Sequence, residues 1–466
     1  MDGRWIIELD RKEKKYLYQQ LAEAIRREID TRSLEEGEPL PSIKRLAKEL
    51  KINPATVVKA YEVLEKEGYI EKKLGSGSFV KDRETQILNF ASGTPSYDFF
   101  PVEDFKKIIN DVMDNDGARA FEYTEGQGDR ALRVALKNYI QKYNIHTNED
   151  HIHVISGAQQ GIDIIVKALV DQGEKVMIEK PSYTGAIGAF RSRGASLIEV
   201  PIKNDGLDLK YLESILVEEV PKLLYVMPNF QNPTGTSYST YQKHRLLELA
   251  EKYGFYILED DYLSDLSFYS KDSRTLKSLD RHHKVIYIKS FSKIFMPGLR
   301  LGFLVVPEEL QEAILEAKLI SDISTSGLLQ RALKEYMERG MWERHIERLK
   351  TMYSRRFDLA LDLIRREFPE EVVFKAPKGG LNFWFQLPKT FDFTKFVKDL
   401  EEQGIRIARG EYFFLTPPEE PSFRFSIANV DEEGIRWGIL FMAELLRKAF
   451  RRKGRIEDRE KQDLIL

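Results

Sequence analysis

The chain has 466 residues, 42% of them hydrophobic, with 72 Lys+Arg against 75 Asp+Glu, seven His and no cysteine. Without cysteine there is no disulfide framework, thiolate zinc site, iron-sulfur cluster or cysteine nucleophile, and the scattered histidines give no metal centre. The length exceeds the roughly 250 to 300 residues at which one core stops growing, so two or more domains are expected.

Residues 1–81 open with YQQLAEAIRREI, apolar at helical spacing, followed by the turn EEGEPLPS. Ser42 is placed to cap a second helix, IKRLAKEL, and after the turn KINP a third begins near Ala55 and Thr56. Two short helices across a four-residue turn form a helix-turn-helix, whose second helix can enter the roughly 12 Å major groove. YIEKKLGSGSFV then reads as two strands around Gly75, Ser76 and Gly77, a wing. Positive charge is local: residues 41–60 hold five basic residues and one acidic, whereas 61–70 hold one basic and three acidic.

Residues 82–88 are expected to be a short linker, reaching at most about 25 Å. From Asn89 the texture becomes α/β: HIHVISG, KVMIEK, SLIEVPI, KLLYVMP, FYILEDDY and KVIYIKSF are strand-like runs at the spacing of a wound, mainly parallel sheet. A smaller α+β segment follows from about Gly340 to Phe450, with strands LNFWFQL and SFRFSIA, which ends the large unit at 89–450. The charged stretch 451–466 is expected to be a frayed helix or a disordered tail. No apolar run approaches the roughly 18 to 20 residues that span a bilayer, and the opening MDGRWIIELDRKEKK holds no signal-like stretch, so a cytoplasmic protein with no membrane partner is expected.

Four motifs fall at strand ends. SGAQQGI is a strand-to-helix junction whose N–H groups would face an anion; NFQNPTG puts Asn232 before Pro233 in a turn. LEDDYLSD ends a strand in Asp260, Asp261 and Tyr262, and YIKSFSKIFMPGLRLG carries Lys293 beside Ser290 and Ser292, with Arg300 seven residues on. Each alone has an ordinary reading as helix start, turn, solvated strand end or surface lysine. Together they suit an aldehyde cofactor with a phosphate handle, held through a lysine imine, an acid on its ring nitrogen and donors on its phenolic oxygen.

On these residues the N-terminal segment, EPLPS through GSGSFV, resembles the winged helix-turn-helix of the GntR regulators. The resemblance implies that Lys44, Lys59, Lys72 and Lys73 contact phosphate, that Asn53 and Thr56 reach base edges, and that Ser42 and the wing glycine Gly77 belong to the DNA-binding surface of an operator-binding protein. The larger segment resembles the fold-type I pyridoxal 5'-phosphate enzymes, in the class I aminotransferase branch that includes 2-aminoadipate and aromatic aminotransferases. That implies Lys293 as the Schiff-base lysine, Asp260 as the acid on the pyridinium nitrogen, and Tyr262 and Asn232 as donors to the phenolic oxygen. Ala158, Gln159, Ser290, Ser292 and Arg300 would hold the phosphate, Tyr183 would stack on the ring, and Arg424 with Asn232 would bind the substrate carboxylate. Tyr123 is similar to the tyrosine that reaches the neighbouring subunit's phosphate, which implies a homodimer with shared sites. The tyrosine stands two positions after Asp260 rather than the three common in plain aminotransferases; strand parity favours Asp260 over Asp261, since Asp260 and Tyr262 share a face.

The two segments in tandem resemble the MocR regulators. The expected function is a pyridoxal-phosphate-dependent transcription regulator responding to the cofactor or to a small amino compound or 2-oxo acid. The alternatives are an active aminotransferase and a cofactor sensor controlling vitamin B6 synthesis.

Overall fold

The computed structural model describes residues 15–30, 37–66, 68–73, 77–81, 87–269 and 274–463, with Leu9 and Leu34. The chain divides into two units, Met1–Ile87 and Leu88–Leu466. The expected linker at 82–88 lies outside the described residues except for Ile87 and Leu88, and Leu88 already belongs to a strand of the larger unit.

In the smaller unit, α1 (Leu17–Asp30), α2 (Ile43–Leu50) and α3 (Pro54–Lys66) precede a hairpin of β1 (Ile70–Lys73) and β2 (Gly77–Val80), paired Ile70 to Val80 and Lys73 to Gly77. Ser42 caps α2 by accepting from the Arg45 N–H at 3.3 Å, and Lys51 ends it at φ 53°. The Asn53 side-chain oxygen accepts from the Ala55 N–H at 2.9 Å, and Pro54 opens α3, where its missing N–H costs nothing. Leu21, Ile25, Leu46, Val57, Tyr61, Leu64 and Val80 close on one another as a core belonging to this unit. The hairpin tip, 74–76, lies outside the described residues.

The larger unit runs β3 (Leu88–Asn89), α4 (Val102–Asp116), α5 (Arg130–Gln141), β4 (Ile152–Ile155), α6 (Ala158–Leu169), β5 (Lys175–Lys180), α7 (Thr184–Ser192), β6 (Ser196–Lys203), β7 (Gly206–Leu207), α8 (Leu209–Glu218), β8 (Leu223–Val226), α9 (Thr240–Tyr253), β9 (Tyr256–Asp261), α10 (Leu276–Leu279), β10 (Val285–Ser290) and β11 (Gly302–Val305). It continues with α11 (Gln311–Asp322), α12 (Gly327–Glu338), α13 (Met341–Glu367), β12 (Val373–Phe374), β13 (Asn382–Gln386), α14 (Phe393–Glu401), β14 (Ile405–Arg406), β15 (Ala408–Arg409), β16 (Ser422–Ser426) and α15 (Glu432–Asp463). Helix α15 therefore carries on through most of the stretch expected to be a tail.

The main sheet has the order β4-β11-β10-β9-β8-β5-β6-β7. Its centre is parallel, while β11 runs antiparallel between β10 and β4, and β7 antiparallel to β6. Alternate residues of the same strands enter separate clusters: Tyr225, Leu258 and Ile286 in one, Leu224, Ile257 and Val285 in another. This is the two-sided burial of a sheet covered by helices, and it explains the near-continuous apolar runs. A second sheet, β12-β13-β16-β15, belongs to the smaller segment, and β3 pairs with β14 through Leu88 and Ile405.

Candidate cofactor site

The carboxyl ends of the central strands are where open α/β sheets place ligands. Here they open on a cavity of about 390 Å³ whose wall includes Ala158, Gln159, Tyr183, Asn232, Asp260, Tyr262, Ser290, Ser292, Lys293, Arg300 and Arg424. These come from six separate stretches of sequence.

One end suits an anion. Gly157, at φ +85°, precedes the first turn of α6, whose unpaired N–H groups carry partial positive charge. Arg300, itself left-handed at φ 52°, donates from Nη2 to the Ser156 carbonyl at 2.8 Å and from Nη1 to Ser292 Oγ at 3.5 Å. A Cβ on Gly157 would lie 2.6 Å from Arg300 Nη2, so the close approach of guanidinium and backbone requires glycine there. Ser290 Oγ accepts from the Ser292 N–H at 3.3 Å, which tightens the loop after β10.

The opposite end suits a cationic N–H. Asp260 is buried; Oδ2 accepts from Tyr225 Oη at 2.7 Å, and Oδ1 has no partner among the described residues. Burial pushes its carboxyl up to about 6, with the Tyr225 hydrogen bond opposing the shift. Asp261 faces the other way: its Oδ2 accepts from Tyr287 Oη at 2.6 Å and Lys289 Nζ at 3.2 Å, and its Oδ1 from the Ser264 N–H at 3.0 Å. Of the two acids, only Asp260 presents an unused oxygen.

Between these ends stands Lys293, whose amine is pulled down to about 8 by burial first, then by the charges of Arg424 and Arg300. Arg424, on β16, donates from Nη1 to Asn232 Oδ1 at 2.7 Å and from Nη2 to the Ala91 carbonyl; its buried Nε has no partner among the described residues. The guanidinium also lies 5.3 Å from the Phe413 ring centroid.

Several expected roles look different in place. The Tyr262 hydroxyl, expected to donate into the cavity, donates to the Phe230 carbonyl at 2.7 Å and accepts from Asn382 Nδ2 at 3.1 Å, because a buried hydroxyl takes the acceptor beside it. Asn232 spends its carbonyl oxygen on Arg424, which leaves its amide nitrogen as the donor. Tyr183 lines the cavity and donates to Gln159 Oε1 at 3.2 Å. Tyr123 is 83% exposed and stands outside this chain's own cavity wall.

On the smaller unit, Lys44, Asn53, Lys59, Lys72 and Lys73 are exposed and Thr56 half-buried. Lys72 pairs with Glu65 at 2.5 Å and Lys73 with Glu71 at 2.9 Å, so the wing lysines are internally balanced rather than bare; exposed pairs of this kind are weak and exchangeable. Lys59 Nζ sits 4.3 Å from the Tyr18 ring centroid, and Asn53 commits its side-chain oxygen to capping α3.

Sequence reasoning missed Tyr225, Gly93, Met227, Leu381, Asn382, Tyr412 and Phe413. Tyr225 left a faint signal, a phenol inside the aliphatic strand LLYV; the others sit in stretches with no motif of their own.

Residues 85–439 match the family aminotransferase class I and II, and residues 17–80 match the bacterial regulatory proteins, gntR family. The uncharacterized HTH-type transcriptional regulator YcxD of Bacillus subtilis is 32% identical, over 92% of this chain and 99% of the relative. The probable rhizopine catabolism regulatory protein MocR of Rhizobium meliloti is 26% identical over 95% of each. Among solved structures, LysN, an alpha-aminoadipate aminotransferase from Thermus thermophilus complexed with N-(5'-phosphopyridoxyl)-L-leucine, is similar with a TM-score of 0.74 and 32% identity, covering 78% of this chain and 93% of that one.

Proposed function

Because the chain belongs to the aminotransferase class I and II family through residues 85–439 and carries a gntR-family helix-turn-helix at 17–80, we propose that it is a MocR-type, DNA-binding transcription regulator whose larger unit senses through pyridoxal 5'-phosphate. The observation that carries this reading is the grouping of Asp260, Lys293, Arg300 and Arg424 around one cavity in a chain that also bears a winged helix-turn-helix.

The cavity fits the cofactor on its own chemistry: an orphaned carboxylate oxygen at one end, and an arginine with a helix start at the other. When bound, pyridoxal phosphate supplies a carbonyl that bonds amines and a ring that accepts electrons. Arg300, Ser290, Ser292 and the first turn of α6 would hold the phosphate. Asp260, ionised above about pH 6, holds the proton on the ring nitrogen. Lys293, with its amine near 8, is uncharged in roughly a tenth of molecules at pH 7 and would be the residue to hold the cofactor's carbonyl end and to carry a proton at Nζ. Arg424, aimed by Asn232, takes the carboxylate of an amino compound or 2-oxo acid. Differential binding of that compound to two arrangements of the chain would supply the coupling to DNA.

The chain acts as a cytoplasmic homodimer in this reading. Exposed Phe121, Tyr123, Ile320 and Ile323 support an association surface, with Tyr123 reaching the second copy's phosphate site. No helix among the described residues is long and apolar enough to cross a membrane.

The test is a footprint on the DNA upstream of the chain's own gene, with and without pyridoxal phosphate and candidate amino acids, in parallel with Lys293→Ala. Protection that changes with ligand in the native chain and not in the variant supports the reading; identical protection under all conditions sinks it. A second reading, an active aminotransferase, is favoured by the presence of a lysine, a ring acid and a carboxylate-binding arginine in one cavity. Turnover with several amino donors and no specific binding upstream would select it.

A further inference from the structure

Behind the cavity, on the other face of the sheet, lies a buried charge cluster that the proposed chemistry does not use. Lys289 of β10 is fully buried and stands directly across from Asp261 of β9, one residue on from the Ile288–Asp260 pair. Its Nζ lies 3.2 Å from Asp261 Oδ2 and 2.7 Å from Asp265 Oδ2. Lys142, just past the end of α5, approaches Asp265 Oδ1 at 3.0 Å beside the hydroxyls of Tyr139 and Tyr143, while Tyr287 donates to Asp261. Two cations thus face two anions, and Lys350 of α13 adds a more distant positive charge.

An apolar side chain at 289 would leave the buried Asp261 and Asp265 with only Lys142 and the tyrosine hydroxyls to meet their charge, so the lysine answers these two acids rather than the packing of the sheet. Asp261, however, is joined through the backbone to Asp260, whose unpaired oxygen faces the cavity. A lone carboxylate there would hinder ionisation of Asp260, and a lysine clamped to it cancels that field. The directions agree: Asp261 raises the Asp260 carboxyl and Lys289 lowers it, both less than burial does.

We propose that Lys289 is a positioning residue for the cofactor's ring nitrogen, acting from the far face of the sheet by neutralising Asp261 and so leaving Asp260 free to ionise. This rests on the cofactor reading above.

The test measures the dissociation constant of pyridoxal phosphate by absorbance titration of the full chain from pH 5 to 8.5, for native, Lys289→Met, Asp261→Asn and the double variant. Native affinity should weaken at low pH around the Asp260 transition near 6. Lys289→Met should move that limb up by about one pH unit, roughly fivefold weaker binding at pH 6. Asp261→Asn should move it down, and the double variant, which removes Lys289 together with Asp261 and leaves Asp265 paired with Lys142, should return close to native. If Lys289→Met does not fold, Lys289→Gln decides: it removes the charge while keeping a donor for Asp261 and Asp265, and the limb should still move up. A common limb in every folded variant, whatever their stabilities, overturns the proposal and leaves the cofactor reading intact; a native chain that binds no pyridoxal phosphate overturns both.

Discussion

Replacing Asp260 by asparagine should make the cofactor-free protein more stable and the cofactor weaker. The carboxyl is moved from its ordinary 3.8 to about 6, chiefly by burial. A folded value raised above the unfolded one contributes stability that is present below pH 3.8 and lost as pH rises through 6; at pH 8 the ionised group costs the fold about 3 kcal/mol. Asparagine removes that cost and still accepts from Tyr225, while its new N–H₂, standing where Oδ1 has no partner, returns about 1 kcal/mol of penalty. The net expectation is a gain of about 2 kcal/mol at pH 8, declining to nothing at about pH 4.5 and turning into a small loss below it. Urea denaturation of the cofactor-free native and Asp260→Asn chains across pH 4.5 to 8.5 reads it directly. Saturating pyridoxal phosphate should reverse the order, because only the carboxylate pairs with a protonated ring nitrogen. A variant less stable than native at pH 8 without cofactor, or a difference that does not change with pH, would refute the reasoning.

Other outcomes follow from the same geometry. Arg424→Met should weaken carboxylate-bearing amino compounds about a hundredfold, some 3 kcal/mol, with cofactor binding kept within a few-fold; equal loss of both in absorbance titrations would deny the division of labour. Gly157→Ala should displace Arg300 from the anion end, raising the pyridoxal phosphate dissociation constant while pyridoxal, which lacks the phosphate, binds as before. Lys59→Ala should weaken DNA on every sequence and reduce the slope of log affinity against log salt by about one; an unchanged slope would remove Lys59 from the phosphate contacts.

The sheet strands and the helices of the smaller unit were readable because their apolar periodicities are strong and their punctuation is chemical: Ser42 before α2, Pro54 at the start of α3, Gly77 after the hairpin tip. Parity along LEDDY puts Asp260 and Tyr262 on one face and Asp261 on the other, and the cavity wall includes Asp260 and Tyr262. β11 is hard to read because GFLV is only four residues long and directly follows the motif loop around Arg300, so it passes as part of that loop. The partners were the harder part. That Asp260 leans on Tyr225 and Arg424 on Asn232 depends on strands and turns tens to hundreds of residues apart, and no local pattern encodes which polar atoms meet. Lys289 illustrates this limit, because a lysine before a serine reads as surface until Asp261, Asp265 and Lys142 are seen around it.

The smaller unit consumes its own apolar side chains, from Leu21 and Ile25 to Tyr61 and Val80. An ancestral gene fusion could therefore have joined such a reader to a metabolic enzyme without redesigning the interior of either. The same economy makes the reader exchangeable: swapping residues 1–81 for another head of this type should redirect the chain to a different operator while its chemical sensitivity stays that of the larger unit.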